Sequence, residues 1–272
     1  MPGFMRQVTG IKVVNSPFGR VDIDAVDREA ARLGDSLTHA FVFRTMNDNG
    51  AGQIMGCDSS NLCEIVKAVS GGFTAPVVIP EMNNARGAFL TGNNMATVDA
   101  LPETSPAMDS SQFWMISGVF SDKAAIGSNF IPLFQIIDES NATKTSISFV
   151  NSNIQFKPDS AASGLGVFGA HSGIPENLPV VLGFYFNNVT KQSSIFMNDL
   201  ETPLYTQSLT GHNPVYAKSD RIRLFQFYTG IGNLNLYTPN AFRIDGEVLD
   251  DPLLLEHVTD LWNAAKKSYG IA

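Results

Sequence analysis

An antiparallel β-sandwich with a short C-terminal helix is the fold this sequence predicts, and three observations predict it. Short runs of aromatic and β-branched residues recur along most of the chain, separated by Gly, Pro, Asn and Asp. Phe alone supplies 19 of the 272 residues and charged residues only 16%, a mixture that suits strands joined by many turns. Only the end of the chain, from Asp251 onward, changes to a helical period.

Taken in order, residues 1–21 hold Met1-Pro2-Gly3, Ser16-Pro17-Phe18-Gly19 and one β-prone run from Gly10 to Val14, and we read them as an arm that needs a partner surface to become ordered. Ile23, Val26, Ala30 and Leu33 then fall on one helical face, with Asp24 as N-cap and Gly34 as stop. Leu37 to Thr45 reads as a strand, followed by the turn signal Asn47-Asp48-Asn49-Gly50 and a run from Gln53 to Met55, the pattern of a hairpin. Leu62, Ile65, Val66 and Val69 give Asn61 to Ser70 the spacing of a short helix, and Pro76 to Pro80 bounds a brief strand. The stretch from Arg86 to Phe120 holds a strand at Ala88 to Leu90, the turn Gly92-Asn93-Asn94, a second strand, a polar loop and a long strand from Phe113 to Phe120.

Further strands are expected at Phe130 to Asp138, Ser146 to Val150, Asn153 to Phe156, Leu178 to Asn187, Ser193 to Met197, Arg221 to Tyr228 and Ala241 to Ile244. Phe184-Tyr185-Phe186 and Leu224-Phe225-Gln226-Phe227 alternate, which predicts one buried side and one exposed or partner-facing side. Asn198-Asp199 predicts a tight turn. Asp251 is a good N-cap, Pro252 suits the first helical position, and Leu254, Leu255, Val258, Leu261, Trp262 and Ala265 share one face before Gly270.

With that order in view, residues 82–269 resemble the laminin-G-like, or concanavalin-A-like, jelly-roll family. Arg86 to Asn94 looks like that family's strand and turn before its first long strand, which Ser111 to Phe120 resembles. Val180 to Asn187 with Ser193 to Asp199 is similar to its hairpin, and Ala241 to Asp245 with Leu253 to Tyr269 to its last strand and capping helix. We divide the chain into an N-terminal arm with a short helix, 1–35, and a sandwich, 36–272, in which 36–81 adds strands; a separate small domain before residue 82 is the alternative.

The resemblance implies that a glycan and a calcium ion sit in loops at one rim, held by Asp, Asn and backbone oxygens. The loops with such groups hold Asn93 and Asn94, Asp138 with Asn141, and Asn233 and Asn235 with Tyr237, so these are the expected glycan- or ion-binding residues. Plain turn chemistry is the competing reading of each. Hydrolases of this fold carry paired carboxylates on one strand, and the only comparable run, Asp22-Ile23-Asp24-Ala25-Val26-Asp27, reads better as an acidic helix start. His39, His171, His212 and His257 are scattered and read as ordinary core or surface residues. No glycine pattern supports a nucleotide site, so no catalytic residue is assigned and no cofactor is required, calcium aside.

Net charge is −8, and the 18 Lys and Arg stand singly except for Lys266-Lys267, which argues against nucleic acid. No run reaches the apolar length of a signal peptide or a membrane span, so the reading is a non-secreted product without membrane insertion. Cys57 and Cys63 are read as partly buried free thiols or as a local disulfide. The expected function is a non-catalytic recognition module of a larger assembly, with a bacteriophage virion (tail, fibre or capsid surface) as the leading setting. Its expected partners are other subunits, copies of itself and cell-surface glycan. A stand-alone carbohydrate-binding protein or a glycan hydrolase is the alternative.

Overall fold

The computed structural model describes residues 24–43, 47–48, 53–55, 64–67, 77–90, 96–98, 111–123, 130–150, 153–162, 166–217, 219–224 and 234–272. The expectations for the arm, for Cys57 and Cys63, for the turn Gly92-Asn93-Asn94 and for Phe225 and Phe227 lie outside the described residues.

Helix α1 (Ala25–Arg32) begins where Asp24 accepts the Val26 amide at 2.8 Å, and a 3₁₀ turn, Gly34–Ser36, follows it. Strands β1 (Leu37–Val42), β2 (Asn47–Asp48), β3 (Gln53–Met55), β4 (Glu64–Lys67), β5 (Val77–Ile79), β6 (Ala85–Leu90) and β7 (Ala96–Val98) come next. Then follow β8 (Gln112–Ser121), β9 (Phe130–Ile137), β10 (Thr143–Val150), β11 (Asn153–Lys157) and β12 (Val167–Ala170). The chain closes with β13 (Pro179–Phe186), β14 (Gln192–Met197), β15 (Tyr205–Ser208), β16 (Arg221–Leu224), β17 (Asn235–Asp245) and helix α2 (Pro252–Tyr269).

The strands form two antiparallel sheets packed face to face. The first runs β15-β14-β13-β8-β17-β6-β5, with β1 also on β17; the second runs β12-β11-β10-β9-β16-β7-β4-β3-β2. Phe41, Trp114, Phe134, Phe149, Phe156, Phe184 and Phe186 fill the space between them. A second core, holding Val26, Phe113, Tyr185, Phe242, Leu261 and Trp262, lies between the first sheet and the two helices. Layers therefore succeed one another as sheet, sheet and helices.

That third layer changes one expectation. Phe184 and Phe186 face the sheet-to-sheet core, but Tyr185 is buried as well, because the helix-side core covers the other face. A strand covered on both faces has no solvent side to display. Two local expectations are also corrected. β1 does not pair with β3; it joins β17 in the first sheet, while β3 pairs with β2 and β4 in the second. The helix expected at Asn61 to Ser70 is not formed, since residues 64–67 are strand β4 between β3 and β7. Ile65 and Val66 suit a strand once neighbours offer hydrogen bonds, and that pairing overrides the helical spacing.

Asn198 adopts φ 57° as a turn residue should, and β14 and β15 do pair, but residues 198–204 connect them instead of a two-residue turn. Helix α2 has the caps its sequence predicts: Asp251 accepts the Leu253 and Leu254 amides at 2.9 and 3.2 Å, and Gly270 closes it at φ 67°. β17 pairs with β6 through Leu236–Thr238 and with β1 beyond Pro239, which has no amide to donate at that changeover. A Cβ on Gly87 would lie 2.3 Å from the Thr238 carbonyl oxygen there. Gly87→Ala is expected to destabilise the fold by about 1–3 kcal/mol, read by denaturant titration.

Candidate functional site

At one end of the first sheet, Ser111 enters β8 and Asp245 ends β17, and the Gly246 amide donates to the Ser111 carbonyl at 2.7 Å. The chain then turns through Glu247, whose carbonyl accepts the Asp250 and Asp251 amides at 2.8 Å each, directly into α2. Beside it stands the β13–β14 turn. Asn187 holds that turn with its own Oδ1, which accepts the Val189 and Thr190 amides at 2.7 and 2.9 Å.

Two contacts fix the turn against its neighbours. Asn187 Nδ2 donates to Asp250 Oδ2 at 2.5 Å, and the Asn188 amide donates to Ser111 Oγ at 2.8 Å. Tyr185 adds its hydroxyl to the same Asp250 oxygen at 3.4 Å. Burial pushes the Tyr185 phenol well up, with the Asp250 carboxylate assisting, so it stays a donor at neutral pH.

These elements and Ser36 enclose an open cleft of about 470 Å³. Its usable groups are Ser36, Asn188, Val189, Glu247, Asp250 and Leu254, with the helix cap Asp251 at its edge. The volume suits a small ligand such as one or two sugar rings. Three carboxylates and no Lys or Arg line it, so it disfavours anions and favours ligands rich in hydroxyl donors. Two of those carboxylates already support the fold: Asp250 binds Asn187 and Tyr185, and Asp251 caps α2. Val189, at 71% exposure, offers an apolar edge.

One residue behind the cleft, on the sheet-to-sheet side, lies a buried polar seam. Gln112 sits opposite Asp245; it accepts the Trp114 indole N–H at 2.8 Å and donates to the Tyr216 hydroxyl at 2.9 Å. Arg243, 0% exposed, lies between the Trp114 and Tyr216 rings at 5.2 and 5.1 Å and donates to Asp245 at 3.0 Å. His39 stands opposite Arg243 across the β1–β17 pair and is fully buried. His212 is buried too, and among the described residues neither shares a metal-binding cluster.

The sequence-expected residues fall in separate places. Asn93, Asn94 and Asn233 lie outside the described residues. Asp138 and Asn141 share the β9–β10 turn, where Asp138 Oδ1 accepts Ser140 Oγ at 2.6 Å and the Ala142 amide at 2.9 Å. Those donors, the Ser140 hydroxyl first, hold its carboxyl below the ordinary range. Asn141 Oδ1 accepts both Arg221 and Arg223. Asn235 and Tyr237 lie on β17 at the end away from the cleft, Asn235 donating to Asp122 at 2.6 Å and Tyr237 stacked on Phe89 at 4.4 Å.

Calcium does not fit the one expected turn that is described in full. Its Asp138 oxygen is engaged locally, and two guanidinium groups approach the Asn141 oxygen a cation would use. Among the described residues no group of three or more His, Cys, Asp or Glu could hold a metal ion, and no helix is long and apolar enough to cross a membrane. The cleft residues Ser36, Asn188 and Glu247 were not anticipated. The available signals were the Asn187-Asn188 pair between two strands and the three acidic residues within Glu247 to Asp251, of which only the helix cap was read.

No protein-family model matches the chain, and no curated protein matches it. Solved structures do. The binding domain of botulinum neurotoxin serotype D/C is similar over 86% of this chain and 53% of its own, with 15% identity and a TM-score of 0.55. A structure of botulinum neurotoxin type C, whose cell entry is described as dependent upon interaction with two ganglioside molecules, gives 14% identity, 86% and 52% coverage and a TM-score of 0.57. The binding domain of botulinum neurotoxin DC in complex with rat synaptotagmin II gives 12%, 84%, 52% and 0.55. The chain spans about half the length of the chains it matches. What it shares with these receptor-binding domains is the fold, an antiparallel β-sandwich.

Proposed function

We propose that this chain is a non-catalytic recognition module that binds neutral glycan in the cleft between the β13–β14 turn and the start of α2. The observation that carries this reading is the cleft itself: carboxylate and amide groups at a concave site of sugar size, with no cation among its lining residues. Sugar hydroxyls would donate to Glu247 and Asp250, while Asn188 Oδ1 already accepts the Lys191 ammonium at 2.8 Å from just outside the cleft. The fold supports glycan recognition in general, since a similar toxin's cell entry is described as dependent upon interaction with two ganglioside molecules, but not the neutral class, because gangliosides are anionic; the match covers 52% of that chain.

The module belongs, in this reading, to a larger assembly, with a bacteriophage tail, fibre or capsid surface as the setting and the virion as its location. The support is the jelly-roll order of strands in the sequence and the absence of a catalytic constellation among the described residues. Light scattering after size-exclusion, alone and with the other proteins of such a particle, tests that part. A stable monomer that joins none of them would overturn it.

A glycan array probed with and without chelator, beside a reducing-sugar release assay, tests the rest. Neutral glycans are expected to bind equally with chelator present and to emerge uncut; cleavage would show a hydrolase instead. Glu247→Ala, at an exposed position, is expected to weaken binding by about tenfold or more, the size of one hydrogen bond to a charged group.

A further inference from the structure

Behind the β13–β14 turn, we infer an acid-sensitive clamp on the cleft: a proton on His212 drives the Lys191 ammonium off Asn213 and Asn188 and loosens the turn that carries Val189. As a regulation of ligand binding it rests on the glycan reading of the cleft; as a conformational device it concerns this chain alone.

Three segments meet beside the turn. The Leu209 amide donates to the Lys191 carbonyl at 2.7 Å, and the Leu209 side chain is buried in the sheet-to-sheet core. His212 follows, its amide donating to the Leu209 carbonyl at 2.9 Å. The Asn213 amide then donates to Asp159 Oδ2 at 2.9 Å, which ties this loop to the segment after β11. From the turn, Lys191 stands at φ 60° with its Nζ 2.8 Å from Asn188 Oδ1, 3.5 Å from Asn213 Oδ1 and 5.9 Å from the centre of the Phe186 ring. One ammonium therefore joins the cleft turn to the histidine's loop.

His212 is placed to break that joint when it is charged. It is 2% exposed, and its Nδ1 is buried with no hydrogen-bond partner among the described residues. The charged groups facing it are Lys157 and Asp159 from β11 and the segment after it, and Lys191 from the turn. An imidazolium there is a third cation beside two lysines. The one carboxylate is already engaged by backbone, Asp159 Oδ1 accepting the Ala161 amide at 3.0 Å and Oδ2 the Asn213 amide.

Burial first, opposed by Asp159 and assisted by the two lysines, holds the imidazole pKa below its ordinary value in the closed form. In a loosened form open to water it returns toward about 6.5, so acid favours the loosened form, by up to about tenfold per pH unit between the two values. The 3.5 Å contact of Lys191 with Asn213 is the longest in the set and gives way first.

The test is an NMR pH titration of the ligand-free whole chain, read at the His212 ring, the Asn213 side-chain amide and the Val189 backbone amide. The Asn213 and Val189 signals are expected to move with the His212 midpoint, which lies below about pH 6.5. In His212→Gln, neutral throughout, they should stay still; in Lys191→Met the ring should still titrate while Val189 no longer follows it. A Val189 signal that ignores the His212 midpoint, or that keeps its shift in either variant, would overturn the clamp. Lactose titrated at both ends of the pH range then separates the two readings. Binding several-fold weaker in acid, in the natural chain but not in His212→Gln, is the expected regulation, and equal binding at both ends would overturn it. No lactose binding at either end bears on the glycan reading alone, the clamp being decided by the ligand-free signals.

Discussion

Arg243→Ala is expected to lower the unfolding free energy by about 3–5 kcal/mol, the largest single loss this fold offers outside its aromatic core. The guanidinium is fully buried between Trp114 and Tyr216 and donates to Asp245. Removing it leaves a buried carboxyl whose ionised form burial already disfavours and Arg243 partly rescues. It also empties the space between two rings and loosens the Gln112–Tyr216–Thr145 chain of hydrogen bonds that spans the two sheets. Denaturant midpoints measure the effect. The paired change Arg243→Met with Asp245→Leu should recover most of the loss, because replacing both partners removes the uncompensated charge. Equal destabilisation in the single and paired variants would show that packing, not charge, dominates.

Acid is expected to weaken the fold through His39, starting at a higher pH than any carboxylate would cause. His39 is buried opposite Arg243, and burial first, then the guanidinium charge, holds its pKa well below the usual imidazole value. The unfolded chain takes up a proton on this residue below about pH 6.5, and the folded chain does not. Stability from this group is therefore complete above about 6.5 and declines as pH falls toward the folded pKa, by up to about 1.4 kcal/mol per pH unit.

The charged groups on β17 facing it are Arg243 and Asp245; Phe41, stacked at 6.1 Å, adds no charge. Asp138 and Glu29, both held below their ordinary pKa by hydrogen bonds, lose their contribution only further down, below the normal carboxylate range. Between about pH 6.5 and 5, His212, which burial also holds below the ordinary imidazole value, titrates too, and Asp245, raised by burial, acts with the opposite sign, so the difference between the natural chain and His39→Leu, not the slope itself, reports His39. His39→Leu should flatten the curve in that window; parallel slopes in the two proteins would refute the assignment.

The elements legible in the sequence are those whose signals are local. α2 is bounded by Asp251, Pro252 and Gly270 within its own residues, and α1 by Asp24. Most strands were readable because they carry their own β-prone run, but β4 read as a helix and β2, β12 and β15 were not expected, and the partner of each strand was not readable. β1 pairs not with the nearby β3 but with β17, some two hundred residues away, since the edge of β17 beyond Pro239 offers unpaired backbone.

Tyr185 looked like the exposed or partner-facing side of an alternating strand because nothing near it in the chain announces the helix-side core. The cleft was hidden for the same reason, with Ser36, Ser111, Asn188 and Glu247 drawn from four distant stretches. Of the expected rim residues, Asp138 and Asn141 do meet, the Asn141 amide donating to the Asp138 carbonyl, but as a turn contact, and Asn235 meets Asp122, which was not among them. Arg243 and Asp245, two apart on one strand, carried a readable hint: alternation places them on one face together with Ala241, which is core.

The most direct test of the account is a side-by-side glycan array of the natural chain and Val189→Arg, with thermal unfolding run on both. Val189 is largely exposed at the cleft edge, so a long side chain there fills the cleft without disturbing a core. The account predicts neutral-glycan binding by the natural chain, its loss in Val189→Arg, and unchanged unfolding temperatures. Undiminished binding in the variant, or no neutral glycan retained by the natural chain, would contradict it.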